Sequence, residues 1–240
     1  MTSILALNTA DSACSVTLKI NNQYFSKTQS ALHHQAEYLL PFIDNILQQA
    51  GCQLSQLDAL AFSSGPASFT SLRLALSAIQ GLAMPYHLPI IPICSLQALA
   101  YSFYLQNCPS DHQIRKIVVC TNAYMGQLFW GAFRIQKNSI EVEQAACLVS
   151  PEKLPELAGN DWFGVGNAWT VYAEALSSLQ TTQQVETTYA HFLPASAEAI
   201  ADLAERLLKE DLYSTLSPDP VYLRDENAWK KKTVPPTLLA

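Results

Sequence analysis

The sequence predicts an α/β protein built from two like domains, and three observations carry that expectation. The first hundred residues read strand, strand, strand, helix, strand, helix, strand, helix. After a polar, proline-containing break at 107–113 the pattern restarts with another strand triplet and crossover helices. The 240 residues are enough for one large or two small domains. The expected division is a first domain over 1–106, a second over 107–215, and a tail over 216–240 that docks on the body and frays at its end.

Taken in order, residues 4–8 form a first strand, 9–12 a polar turn, 15–20 a second strand and 24–28 a third. Asn21 and Asn22 supply the hairpin turn between the last two. A helix follows over about 33–50, closed by Gly51. Its apolar residues Leu39, Leu40, Phe42, Ile43, Ile46 and Leu47 exceed what one contact face needs. Pro41 lies inside it and predicts a kink or a junction of two shorter helices, because proline removes an N–H and crowds the preceding turn.

The stretch LAFSSGPASFTSLRLALSAIQGLAM, residues 60–84, is the best candidate for function. A buried strand over 57–63 breaks at Gly65 and Pro66, and a hydroxyl-rich turn leads into a helix with Leu72, Leu76, Ile79 and Ala83 at inward spacing. Ser68 is placed to cap that helix, and Gly81 and Pro85 mark its end. A glycine-containing loop ahead of a helix is a recipe for holding an anion or another chain. It is neither a Walker A loop nor a nucleophile elbow, since it lacks Gly-Lys-Ser/Thr and Gly-x-Ser-x-Gly. Arg73 sits in the first turns, where a cation does not help the helix dipole, and either reaches solvent or pairs with an anion or a partner chain. Residues 89–93 form a strand, and Ser95 caps a helix to about 105.

In the second half, strands are expected at 117–121, 127–135, 140–148 and 162–165, with a turn at 122–126. Helices are expected at 151–157, 168–179 and 195–208. The pair Gly164 and Gly166 is too short to stand as a nucleotide fingerprint.

Composition narrows the function. The net charge is −6, so a global nucleic-acid footprint is missing. No apolar run reaches the length of a membrane span, and the N-terminus reads as a strand rather than a signal peptide. The six cysteines are scattered without a Cys-x-x-Cys pair, which fits buried free thiols and a cytoplasmic location. The five histidines offer no metal-binding spacing, and no carboxylate pair or Ser/His/Asp set stands out.

Several segments nevertheless carry a resemblance. ILALNTADSACSVTL, SSGPASFTSLRLALSAIQGLA, PICSLQALA, NAYMGQLFWGAF, FGVGNAW and PVYLRDENAWKKK together resemble the TsaB (YeaZ) family over residues 3–232. The resemblance implies the actin-like ATPase fold, with two subdomains of duplicated βββαβα topology. It implies a non-catalytic subunit that binds TsaD, with TsaE joining. The complex transfers a threonylcarbamoyl group to the adenosine 3′ of the anticodon in tRNAs reading ANN codons. Self-association through the same N-terminal helices is implied as well, with tRNA touched only indirectly.

Residue by residue, the family loop Gly-Pro-Gly-Ser-Phe-Thr-Gly-x-Arg is kept at Gly65, Pro66, Ser68, Phe69, Thr70 and Arg73, while Ala67 and Ser71 replace two glycines. The first strand, usually ending Ile-Asp-Thr, ends Leu7-Asn8-Thr9, and the usual Asp-Ala-Arg of the second domain is Asn122-Ala123-Tyr124. Each change removes chemistry and leaves scaffold. The expected partner face comprises Leu39, Phe42, Ile43, Ile46, Phe69, Arg73, Leu74, Ala78 and Leu82; Gly65, Pro66, Ser68 and Thr70 form the structural loop. No cofactor is expected in the isolated chain, with nucleotide possible only at the interface of the complex. The competing readings are an ATPase or small-molecule kinase of the same fold and, behind it, a peptidase.

Overall fold

A computed structural model describes residues 2–10, 13–30, 34–107, 116–136, 139–182, 185–187, 195–213 and 218–224. The first sheet holds β1 (Ser3–Asn8), β2 (Ala13–Ile20), β3 (Gln23–Ser30), β4 (Ala59–Gly65) and β5 (Ile90–Cys94). Its order is β3-β2-β1-β4-β5, with β1 to β3 antiparallel and β4 and β5 parallel to β1. Both faces are covered, so β1 reads as a continuous apolar run. Within it the two-residue period still sorts side chains. Leu5 and Leu7 face one cluster, and Ile4 and Ala6 face another.

The second sheet repeats the plan with β6 (Lys116–Tyr124), β7 (Gln127–Gln136), β8 (Ser139–Val149), β9 (Trp162–Val165) and β10 (Glu186–Thr187). Its order, β8-β7-β6-β9-β10, matches the first strand for strand, including parallel β9 and β10. β10 is too short to be visible from periodicity. The β6–β7 connection is a two-residue turn at Met125 and Gly126, both with φ near +60°. Such positive angles match the right-handed twist of the flanking strands.

Two expectations about helices are corrected and one is narrowed. Residues 151–157 do not form a helix. The segment makes a single turn, from Lys153 N to Ser150 O, and Pro155 can donate no bond to continue it. The helix expected at 168–179 is two, α4 (Ala168–Val171) and α5 (Ala173–Thr182), parted at Tyr172. Of the two outcomes expected of Pro41, the junction does not occur: α1 (Gln35–Ala50) runs on for 16 residues. Pro41 sits on the exposed side, where water can bond the carbonyl it leaves without a partner. Gly51 closes α1 in the left-handed conformation, with backbone bonds back to Gln48 and Leu47.

Helices α1 and α2 (Phe69–Ala83) cover the outer face of the first sheet. The inward stripe of α2 is Leu72, Ala75, Ile79 and Ala83, so Ala75 takes the place expected of Leu76. Helix α3 (Ser95–Asn107) packs on the inner face of the second sheet. Helix α6 (Ala197–Lys209) follows the second sheet in the chain but lies on the first, against β1, β2, β4 and β5. Small residues make that approach close: Ala6, Ala59 and Ala61 meet a helix carrying Ala197, Ala201 and Ala204. α3 and α6 touch each other, and one buried cluster joins both sheets through them.

Candidate partner-binding site

The loop after β4 and the helix behind it are built from local rules. Gly65 has φ +113°, a left-handed value, and the Gly65–Pro66 peptide is cis. Ser68 caps α2: its Oγ accepts from Ser71 N at 3.3 Å and donates to Ser71 Oγ at 2.6 Å. Such a cap is worth about 1 kcal/mol. Thr70 is exposed at the helix start, and Pro66 is buried. The Arg73 guanidinium lies over the Phe69 ring at 3.7 Å, and Phe69 in turn meets the Tyr222 ring at 5.1 Å. Among the described residues the cation is thus held by a ring rather than by an acid, a contact worth roughly 0.5–1 kcal/mol at an exposed site.

The expected partner face divides in two. Leu39, Ile43 and Ile46 lie in the core against their own sheet. They are therefore not available to a second chain, and their inclusion is corrected. They form the single inward stripe of α1, and a dense apolar helix hides which side faces in. Phe42, Leu74, Ala78 and Leu82 are partly buried on top of that core. Phe69 and Arg73 are exposed. Three further apolar residues of these segments are exposed: Leu40, Met84 and Tyr86. Leu40 was legible as the apolar residue out of step with Leu39, Ile43 and Ile46. Met84 and Tyr86 lie beyond the periodic stretch and carried no such signal.

At the ends of the central strands, the polar groups are committed to structure. The buried Asn8 donates from Nδ2 to Ala195 O at 2.6 Å, and its Oδ1 accepts from Ala10 N at 3.0 Å. A carboxylate could not make the first of these bonds. Asn122 Oδ1 accepts from Tyr124 N at 2.8 Å and from Tyr172 Oη at 3.2 Å, while Asn122 N donates to Asn167 Oδ1. Both positions pin turns. Magnesium bound through a nucleotide is usually held by carboxylates, so these amides do not fit that group. Gly166 serves packing too: a Cβ there would lie 2.2 Å from Cys120 O. Gly164 makes room for the Trp169 ring.

The loop hydroxyls likewise bond inward, Ser63 with Ser95 at 2.7 Å and Ser64 to Ile93 O at 3.2 Å. Burial pushes the Cys14 thiol up to about 11 and those of Cys52, Cys94, Cys120 and Cys147 above their ordinary value. Free thiols so placed are protonated and poor nucleophiles. Among the described residues no three His, Cys, Asp or Glu side chains gather at one point, and no helix is long and apolar enough to cross a membrane.

The segment 218–224 completes the site. Val221 N donates to Ser64 O at 2.7 Å, next to Gly65. Arg224 reaches the β6–β7 hairpin, donating to Ala123 O at 2.8 Å, Gln127 Oε1 at 3.1 Å and Tyr124 O at 3.2 Å. Val221 and Arg224 thus bond the end of β4 in the first sheet and the β6–β7 hairpin of the second. The rest of the basic tail, including Lys230, Lys231 and Lys232, lies outside the described residues.

With this geometry in hand, comparison with known proteins is informative. The family model described as "TsaD: tRNA N6-adenosine threonylcarbamoyltransferase" matches residues 24–232. The tRNA threonylcarbamoyladenosine biosynthesis protein TsaB of Haemophilus influenzae is 30% identical over 239 residues, covering 95% of this chain and 96% of that protein. TsaB of Escherichia coli is 27% identical over 234 residues, covering 95% and 97%. The structure of YeaZ from Pseudomonas aeruginosa superposes with a TM-score of 0.79 at 29% identity, covering 93% of this chain and all of that one. A second Pseudomonas aeruginosa structure, described as similar to peptidase YeaZ, gives 0.81 at 29% identity with the same coverage. The duplicated sheets are those of the actin-like fold, and the chain belongs to the TsaB (YeaZ) family.

Proposed function

We propose that this chain is a non-catalytic subunit that binds and activates TsaD, with TsaE, in threonylcarbamoyl transfer to the adenosine 3′ of the anticodon of tRNAs reading ANN codons. The observation that carries the reading is the apolar surface left on α1 and α2. Leu40, Phe42, Leu74, Ala78, Leu82 and Met84 lie above a core that is already closed by Leu39, Ile43, Ile46, Leu72, Ala75 and Ile79. A helix pair that keeps apolar residues after its own core is complete suits another helical surface. The committed amides of Asn8 and Asn122 support a scaffold rather than an ATPase or kinase.

The same face serves self-association when TsaD is absent, so the two partners compete for it. Any nucleotide would sit only at the interface of the complex, tRNA is touched only indirectly, and the protein works in the cytoplasm. The test is co-purification with TsaD, comparing the wild type with Leu74→Glu and Ala78→Glu. Both variants are expected to fold and to lose at least tenfold in TsaD recovery. Full recovery with both would sink the face. Calorimetry with ATP and Mg²⁺ on the isolated chain is a second check, and micromolar binding there would revive the enzyme reading.

A further inference from the structure

We propose that residues 221–224 are a strap that holds the two sheets in one mutual orientation at the C-terminal ends of their parallel strands. Among the described residues the halves would then be joined at two places. One is the apolar core shared through α3 and α6, which includes Ile4 and Ile91 from the first sheet and Ile117 and Phe133 from the second. Most of that contact is apolar and therefore not directional, with a bond from Gln97 Nε2 on α3 to Ile140 O on β8 at 3.3 Å beside it. The strap adds directional bonds at a different place. β4 ends at Gly65 and β6 ends at Tyr124, and the strap touches both ends.

At its first end the strap is seated by backbone. The Val221 N–H bonds the Ser64 carbonyl at 2.7 Å. The Val221 carbonyl lies so close to Gly65 that a Cβ there would sit 2.7 Å from its oxygen. Gly65 therefore has a reason to be glycine unrelated to phosphate: it admits the strap. Tyr222 then rests on Phe69, which carries Arg73 on its ring, so the strap also grips the first turn of α2.

At its second end the strap is seated by one guanidinium. Arg224 Nη2 faces two hairpin carbonyls, of Ala123 and Tyr124, and the Gln127 amide oxygen, and Nη1 lies 2.9 Å from Met125 Sδ. Tyr124 and Met125 both hold φ near +60°, a conformation that side chains other than glycine, Asn and Asp rarely take. Arg224 bonds the carbonyls presented by that turn. A planar guanidinium suits such a fan of acceptors, whereas an ammonium would satisfy fewer of them in one plane.

The strap is thus a conformational lock, independent of whether the α1–α2 face binds TsaD. Its test uses the full chain with spin labels introduced as noncanonical residues at the exposed positions Gln48 and Glu174, one on each half. With the labelled chain diluted in excess unlabelled chain, so that only distances within one chain are read, pulsed dipolar spectroscopy is expected to give one narrow distance in the wild type and a distribution at least twice as broad in Arg224→Leu. Exchange of the Val221 amide, at the opposite end of the strap, is expected to quicken at least tenfold. An unchanged distance distribution, or unchanged Val221 exchange, in a folded Arg224→Leu chain overturns the proposal. Should that variant fail to fold, Tyr222→Ala leaves the guanidinium in place and carries the same expectation and the same refutation.

Discussion

The two halves share a sheet plan but finish their outer faces differently. On the first sheet the outer layer is a pair of helices, α1 and α2, of 16 and 15 residues. On the second, the corresponding ground is covered by the irregular stretch 150–161 and the short α4 and α5. Three tryptophans close it, Trp130, Trp162 and Trp169. Two find acceptors for their ring N–H, Trp130 on Gln144 Oε1 at 2.9 Å and Trp162 on Ala158 O at 3.3 Å. Gln144 passes the tie on to Glu156 O at 2.6 Å, pinning the irregular stretch to the sheet. The second face is closed by these rings and leaves Val171 of α4 exposed, while the first keeps Leu40, Phe69, Met84 and Tyr86 exposed above its finished core. Duplication of a sheet therefore does not duplicate its surface, and the difference points to the first half as the binding half.

The largest effect should come from breaking the closed face. Trp162→Ala removes a side chain that is 1% exposed and is expected to cost about 3–5 kcal/mol. Chemical denaturation followed by tryptophan emission measures it. A cost below ~1 kcal/mol would mean that the second face is not sealed by its tryptophans, and the contrast between the halves would fail.

How much of this was legible in sequence differs between the halves for the same reason. Strands β1 to β4 and the cap at Ser68 were readable because alternation, turn residues and a hydroxyl before a helix are local signals. The segment 151–157 was misread because a proline at the start signals a helix, while Pro155 cancels that signal from within. Which sheet α6 covers was not readable, since periodicity reports that a helix has a buried stripe and not what buries it. Nothing local to Lys19 in the sequence signals burial. Lys19 is buried, with Asp202 Oδ1 at 2.6 Å and Glu205 Oε2 at 2.8 Å, because α6 returns from 183 residues away in sequence. On the candidate site, Leu39, Ile43 and Ile46 were placed on the partner stripe and lie in the core, since the inward and outward sides of α1 both carry large apolar residues.

The inner faces sharpen the contrast. The second sheet meets α3 through apolar residues such as Phe133, Ile135 and Ile140. The first sheet adds charge: Lys19 to Asp202 and Glu205, Tyr24 Oη to Asp202 at 2.7 Å, and Ser26 Oγ to Glu198 at 2.6 Å. Lys19→Met is expected to cost about 3 kcal/mol, at the low end for a broken buried pair because both carboxylates keep some water contact. The pH dependence has a definite sign. Burial acts to raise the Glu205 carboxyl, but its bonds to Lys19 and Lys209 outweigh this and hold it below its ordinary 4.5. Its contribution is present above that value and is lost as pH falls through the lower folded one. Burial and the bond to Asp202 push Tyr24 up to about 12 from 10. Its contribution is complete below pH 10 and is lost as pH rises through about 12. Denaturation midpoints of wild type and Glu205→Gln should converge as pH drops from 6 to 3. A late phenolate absorbance step should vanish in Tyr24→Phe. A constant gap in the first experiment, or an unchanged titration in the second, would show that charge does not seat α6.

The finest test of the contrast is one pair of neighbours on α1. Leu39 is 1% exposed and Leu40 is 57% exposed, although the two are the same residue type one step apart. Successive side chains on a helix point about 100° apart, so one faces the sheet and the other faces solvent. Leu39→Ala should cost about 2–5 kcal/mol through the cavity it leaves. Leu40→Ala should stay within about 0.5 kcal/mol, as surface changes do. If the outer face of α1 exists only for its own fold, Leu40→Ala should also leave TsaD capture and self-association untouched. If that face is held in reserve for a second chain, capture should fall severalfold while the denaturation midpoint stays put. Sedimentation of the isolated chain and co-purification with TsaD, both on Leu40→Ala, separate these outcomes without disturbing the core beneath.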